Sequence, residues 1–239
     1  MPLLRLTPER RRGVEILDDP ATPDAVRARS MADIERSNAL FGGTRSAIDA
    51  LCVVIPQLPP EATLLDVGTG TSDIPRNAAQ VAASAGVRLQ VLGIDISESL
   101  ARSAARRLAG VAVAHALRLP IADDSVDVVA CSQMLHHFIE ADARLVIAEL
   151  HRVARRWVVV SDLQRSWFAA GGFWLASVAL GFHPVTRNDG VVSVFRGFTT
   201  PELRQLVSDV TGRVPIVRRG AFWRLAAVWD KTPAGLRNS

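Results

Sequence analysis

The chain has 239 residues, 49% hydrophobic and 22% charged, with a formal net charge of +4. That length suits one α/β domain with a sizeable core and excludes two such domains plus a linker, and the composition excludes a disordered chain. All of the positive charge except Lys231 is arginine, and the runs Arg10-Arg11-Arg12, Arg155-Arg156 and Arg218-Arg219 are short and separated; they read as solvated faces, so no nucleic-acid partner is expected.

In chain order, residues 1–60 read as a helical extension. A helix starts at Pro23-Asp24 and runs through Asn38, Gly42-Gly43 breaks it, and Thr44 caps a second helix to about Ile55. Pro56, Pro59 and Pro60 close the extension. Apolar, β-branched runs then alternate with alanine- and arginine-rich helical stretches: a strand at Thr63–Val67, a helix at Asp73–Ser84, a strand at Leu89–Ile94, a helix at Ser97–Leu108 and a strand at Val111–His115. A strand at Val126–Ala130, a helix through Arg152 and a strand at Trp157–Ser161 follow. This βαβα rhythm predicts an α/β fold with a doubly wound parallel sheet, whose ligands bind beyond the carboxyl ends of the strands.

After Asp162 the rhythm changes to an apolar stretch, Trp167–Phe182, and then a polar, glycine-containing loop, His183–Phe198. A capped helix at Thr200–Val210 and strands at Val214–Arg218 and Phe222–Trp229 end the chain. A single domain, 1–239, thus divides into the extension (1–60), a strand–helix half (61–163) and a cap with closing strands (164–239). Cys52 and Cys131 lack metal-ligand spacing and read as small core residues of a reducing compartment. The N-terminus carries no secretory h-region, and no run reaches the ~18 apolar residues of a spanning helix. A cytoplasmic protein without stable membrane insertion is expected, with a homodimer open and no metal expected.

The strongest chemical signal is Leu64-Leu65-Asp66-Val67-Gly68-Thr69-Gly70-Thr71-Ser72-Asp73, an apolar strand running into a glycine-rich turn and a helix. A dinucleotide fold would place a third glycine where Asp73 stands, and a phosphate loop would need Gly-Lys-Ser/Thr. A carboxylate at that helix start repels pyrophosphate, which makes a nicotinamide enzyme a distant alternative. Asp95, ending the next strand in Leu92-Gly93-Ile94-Asp95-Ile96-Ser97, is placed to accept hydrogen bonds from ribose hydroxyls.

With the segments His115–Val129 and Cys131-Ser132-Gln133-Met134-Leu135-His136-His137-Phe138, these motifs resemble class I S-adenosylmethionine (SAM)-dependent methyltransferases over roughly residues 60–163. The resemblance implies a Rossmann-like, seven-stranded, mostly parallel sheet with its last strand antiparallel, N-terminal helices, a helical cap insertion, and SAM as cofactor. It implies that Gly68, Thr69, Gly70 and Thr71 hold the methionine part with Asp66 supporting the turn. Asp95 would bind ribose, Ile96 pack on adenine, His115 and Ala116 contact the adenine edge, and Ser132 lie beside the methionine moiety. His115 departs from the Asp or Asn usual there, which moves the adenine contact toward the Ala116 backbone.

Within the family the chain is most similar to methyltransferase type 11 enzymes of the ubiquinone/menaquinone-biosynthesis kind. Arg29–Asn38 with Phe41–Arg45, and Ser161–Ser166 with Asp189-Gly190, are similar to bacterial methyltransferases that accompany type III polyketide synthases.

A phenol or enol accepts a methyl group best as its anion, so a nearby base is expected. His136 and His137 follow the fourth strand at the carboxyl edge; adjacent helical positions point about 100° apart, so one should face the cleft, with His137 slightly favoured. His183, in the loop with Arg187, Asp189 and Arg196, is a second candidate. The apolar run containing Trp167, Phe168, Phe173, Trp174 and Phe182 would suit the wall of a pocket for a small apolar substrate. Methyl transfer to the oxygen or carbon of an aromatic, quinone or polyketide-type molecule is the leading reading. For the alternative of a methyltransferase acting on RNA or protein, the chain lacks the Asn/Asp-Pro-Pro-Tyr/Phe tetrapeptide for planar nitrogen, and the alternative of a non-catalytic SAM-binding partner domain would need no base.

Overall fold

The computed structural model describes residues 7–11, 13–19 and 21–232. Among these residues seven strands, β1 (Glu61–Val67), β2 (Arg88–Asp95), β3 (Gly110–Val113), β4 (Val126–Ser132), β5 (Ala154–Leu163), β6 (Ile216–Gly220) and β7 (Arg224–Asp230), form one sheet. Their order is β3-β2-β1-β4-β5-β7-β6. β1 to β5 run parallel, and β7 inserts antiparallel between β5 and β6.

The strands read as unbroken apolar runs because the sheet is covered on both faces. Alternate residues go to opposite layers. Leu65, Val129 and Val158 join the core beneath α5 (Glu140–Val153) and α8 (Thr200–Thr211), whereas Leu64, Val128 and Val159 join that of α2 (Gly43–Val54) and α3 (Asp73–Ser84). α4 (Glu98–Ala104) lies against β2 and β3. The chain order reverses between β1 and β4, so the cleft of a doubly wound sheet opens above the carboxyl ends of those two strands.

The rest of the chain is built over that edge. α1 (Asp24–Leu40), α6 (Trp167–Ala179) and α7 (Pro184–Arg196) make a helical layer joined by Asp33, whose Oδ2 accepts the His183 backbone N–H at 2.7 Å and the Thr186 hydroxyl at 3.3 Å. The loop expected at His183–Phe198 is therefore corrected to a helix. Pro184 occupies its first turn, the His183 side chain accepts from Val185 N–H, and Gly190 serves close packing: a Cβ there would lie 2.1 Å from the Phe173 ring. One face of α6 packs Ala169 and Ala170 against Val194, while Phe168, Trp174, Leu175 and Val178 stay exposed.

Three smaller expectations also change. α2 is entered through Gly42 at φ 71°, without a Thr44 side-chain cap. Cys52 is exposed, although Cys131 is fully buried. Arg10 is drawn inward, its Nε donating to Arg196 O at 2.7 Å and its guanidinium stacking 4.1 Å from the Phe198 ring centre. Arg12 lies outside the described residues. No single described helix is long and apolar enough to cross a membrane.

Candidate active site

The glycine turn leaves β1 with Gly68 and Thr69 N–H both bonded to Ile94 O, at 2.8 and 3.0 Å. Gly68 has φ +77°, and a Cβ on it would fall 2.6 Å from Met134 Sδ, so backbone and neighbour both require glycine. Asp95, ending β2, holds the turn: its Oδ2 accepts Gly70 N–H at 2.9 Å, and its Oδ1 accepts Ser97 N–H at 2.8 Å. Around this turn lie buried polar atoms with no partner among the described residues: Asp66 Oδ1, Thr69 Oγ1, Ser72 Oγ and Ser132 Oγ. Orphaned polar atoms are rare inside proteins, and four around one turn mark a cradle shaped for a polar ligand. Burial, reinforced by the Asp95 carboxylate, pushes the Asp66 carboxyl up to about 7.

Beyond that cradle the ends of β4 and β5 carry the second part of the site. Leu135–His137 forms one turn of 3-10 helix. His136 is buried; its N–H donates to Asp162 Oδ2 at 2.9 Å, and its Nδ1 lies 2.5 Å from Asp162 Oδ1. A carboxylate only accepts, so Nδ1 carries the proton shared with Asp162, and Nε2 is the ring nitrogen not engaged by it. His136, its N–H bonds and Leu163 N–H together hold the wholly buried Asp162 below the ordinary carboxylate range, against its desolvation.

His136 and His137 both line a cavity of about 420 Å³ whose walls include Phe41, Phe173, Ala176 and Trp223. The expected divergence of adjacent residues therefore does not separate the pair: their ring centres are 4.3 Å apart. His137, with 37% of its side chain exposed, lies 3.7 Å from the Glu15 carboxylate; desolvation by the surrounding protein and the neighbouring His136 push its imidazole down to about 3.

The near end of the cavity is closed by the chain before α1. Asp189 accepts the backbone N–H groups of Ile16 and Leu17, each at 2.9 Å, and Arg196 donates to Gly13 O at 2.8 Å and to Glu15 Oε1 at 2.9 Å. Glu15 also accepts from Ser193 Oγ at 2.7 Å; burial raises its pKa. Ligand-type atoms of Glu15, His136 and His137 fall within 4.8 Å of one another. The Arg196 guanidinium reaches both Glu15 Oε1, at 2.9 Å, and His137 Nδ1, at 3.5 Å, so a fixed cation already adjoins the trio, which reads as an acid–base cluster.

The sequence candidates thus fall into three groups. Asp66, Gly68, Thr69, Gly70, Thr71, Asp95 and Ser132 meet at the turn and the adjoining strand ends. Ile96 is 66% exposed, open to a flat ligand. Ala116 is buried, and His115 lies past the end of β3 with its Nδ1 accepting Leu117 N–H at 3.1 Å. Of the three base candidates His136 has the geometry of a base, His137 stands beside it, and His183 caps α7 apart from the cavity lining. Glu15, Gln133, Asp162 and Arg224 were not singled out; a carboxylate ending the β-branched run before Asp162 was the one available signal.

Residues 65–159 match the family model described as "Methyltransferase domain". No curated protein matches the chain. Among solved structures it is similar to magnesium protoporphyrin IX methyltransferase from Synechocystis with bound SAM, at 16% identity over 91% of this chain and 88% of that one, with a TM-score of 0.53. It is similar to the plantazolicin methyltransferase BpumL in complex with SAH, at 11% identity, 89% and 92% coverage and a TM-score of 0.69. A SAM-dependent methyltransferase from Aquifex aeolicus gives 17% identity, 84% and 98% coverage and a TM-score of 0.56. These likenesses are of fold.

Proposed function

We propose that the chain, whose residues 65–159 match a methyltransferase domain model, is a class I SAM-dependent methyltransferase that methylates a hydroxyl oxygen of a small apolar aromatic or polyketide-type molecule held in the cavity beside His136. The His136–Asp162 pair carries this reading: a carboxylate-oriented imidazole whose Nε2 remains for a substrate proton.

The residues of the turn fit the cofactor. The ammonium and carboxylate of a zwitterionic amino-acid head group would satisfy the unpartnered Asp66, Thr69, Ser72 and Ser132 oxygens. Asp95 would take the ribose hydroxyls, Ile96 the adenine face and Ala116 its edge. Bound there, SAM supplies an activated methyl group on a sulfonium. Residues 61–163 would thus hold the cofactor, while the extension and the cap close the substrate side.

In the reaction, His136 Nε2 would take the proton of the acceptor hydroxyl as the hydroxyl oxygen bonds to the methyl carbon and the carbon–sulfur bond of the sulfonium breaks, leaving neutral SAH. Asp162 steadies the imidazolium that results. His137, held neutral by its surroundings, leaves the neighbouring charge to form without a second cation beside it. The apolar walls exclude water, and positioning of acceptor against donor supplies much of the rate.

The test measures SAH release with a panel of phenolic acceptors in wild type, His136→Gln and Asp162→Asn. Loss of a positioned base should lower kcat by about 10²–10⁴-fold, with SAM affinity changed less than about threefold. Unchanged kcat in both variants would remove the pair from the mechanism.

A further inference from the structure

Arg224 begins β7 opposite Leu163, is 5% exposed, and lines the same cavity. Its Nε donates to Phe41 O at 3.0 Å and its Nη1 to Gln133 Oε1. No carboxylate among the described residues forms an ion pair with it, and burial pulls its pKa down to about 10 with only Asp162 acting in the other direction. The other charged groups of the cavity are engaged elsewhere: Glu15 by Arg196 and Ser193, Asp189 by two backbone N–H groups, Asp162 by His136.

A buried guanidinium with no carboxylate in contact, and only the field of Asp162 acting in its favour, is costly unless something else supplies a direct partner. A second observation points the same way. Gln133 Oε1 is committed to Arg224, which fixes the orientation of the amide, and its Nε2 is a buried donor with no partner among the described residues. A cation and an unpaired amide donor, joined by a hydrogen bond and set in a wall of Phe41 and Phe222, form a receptor for an anionic oxygen on an otherwise apolar molecule.

We propose that Arg224, supported by Gln133, binds a carboxylate borne by the substrate, so that the acceptor is an aromatic hydroxy acid and not a neutral phenol or quinone. This rests on the reading of the cavity as the acceptor site. Asp162 links the two halves of the recognition, holding His136 through hydrogen bonds and acting on Arg224 through its charge. The hydroxyl then meets His136 while the carboxylate meets Arg224.

The test is calorimetric titration of SAH-loaded protein with an ortho-hydroxynaphthoic acid and, separately, its methyl ester, which keeps the shape and removes the charge. Wild type should bind the acid about tenfold or more tightly than the ester, as one charge-assisted contact provides. Arg224→Gln should erase that preference and Arg224→Lys retain part of it, with SAH affinity changed less than twofold. The acid–ester comparison on the unaltered protein stands even if a variant fails to fold. No preference in wild type, a preference that survives in Arg224→Gln, or SAH affinity that falls with it, which would assign Arg224 to the cofactor's own carboxylate, would each overturn the inference. Failure of the unaltered protein to bind SAH would instead remove the underlying reading.

Discussion

With one oxygen unpartnered and 3% of its surface exposed, Asp66 keeps its proton up to about pH 7. Between its ordinary value of 3.8 and about 7 the folded chain binds more protons than the unfolded one, so stability falls as pH rises across that window. At 1.36 kcal/mol per pKa unit, the full titration removes on the order of 4 kcal/mol. Urea unfolding of the ligand-free protein at about pH 5 and pH 8 should show about 3 kcal/mol of this loss, the part that falls between pH 5 and about 7, and Asp66→Asn should be flatter by most of that; equal slopes would show that Asp66 is already ionised at the lower pH. This residue and its turn could be read from the chain because both lie within one short segment. Asp162, equally buried, could not be paired with His136 beforehand, since the two are 26 residues apart and meet only through the register of β4 with β5.

The packing of α6 on α7 shows how local signals mislead about an element. Gly190, with Asn188 and Asp189 before it, resembles a loop, yet the glycine lies inside α7 because the Phe173 ring occupies the space of its Cβ. Replacement by alanine must separate the helices or displace Phe173, which is also a cavity wall. Gly190→Ala should therefore destabilise by about 1–3 kcal/mol in urea unfolding, as overpacking does. It should also raise KM for the acceptor more than it lowers SAM affinity. A variant as stable as wild type would mean that the helix pair yields freely. The same contrast holds at the fourth strand, where a 3-10 turn, and not an α-helix, presents both histidines to one cavity.

Across the whole molecule, the segment before α1 is fastened to α7 over more than 170 positions of sequence by Asp189 and Arg196, and this completes the cavity. Asp189→Ala removes both hydrogen bonds to that segment and a third from Asn188 Nδ2, a loss of about 1–3 kcal/mol. The segment around Ile16 should then be cut sooner by protease, and acceptor KM should rise about tenfold or more while SAM affinity holds. Unchanged proteolysis would show the Arg196 contacts to be sufficient. What the chain alone determined is local in character: the alternation of strands and helices, the glycine turn with its flanking carboxylates, and the histidine pair at a strand end, all set by short-range periodicity and backbone requirements. Tertiary structure alone decided which histidine acquires a carboxylate partner, which arginine is left without one, and what encloses the substrate. Those depend on strand register and on contacts between distant segments, where burial strips water from charged groups and makes each partner, or its absence, count.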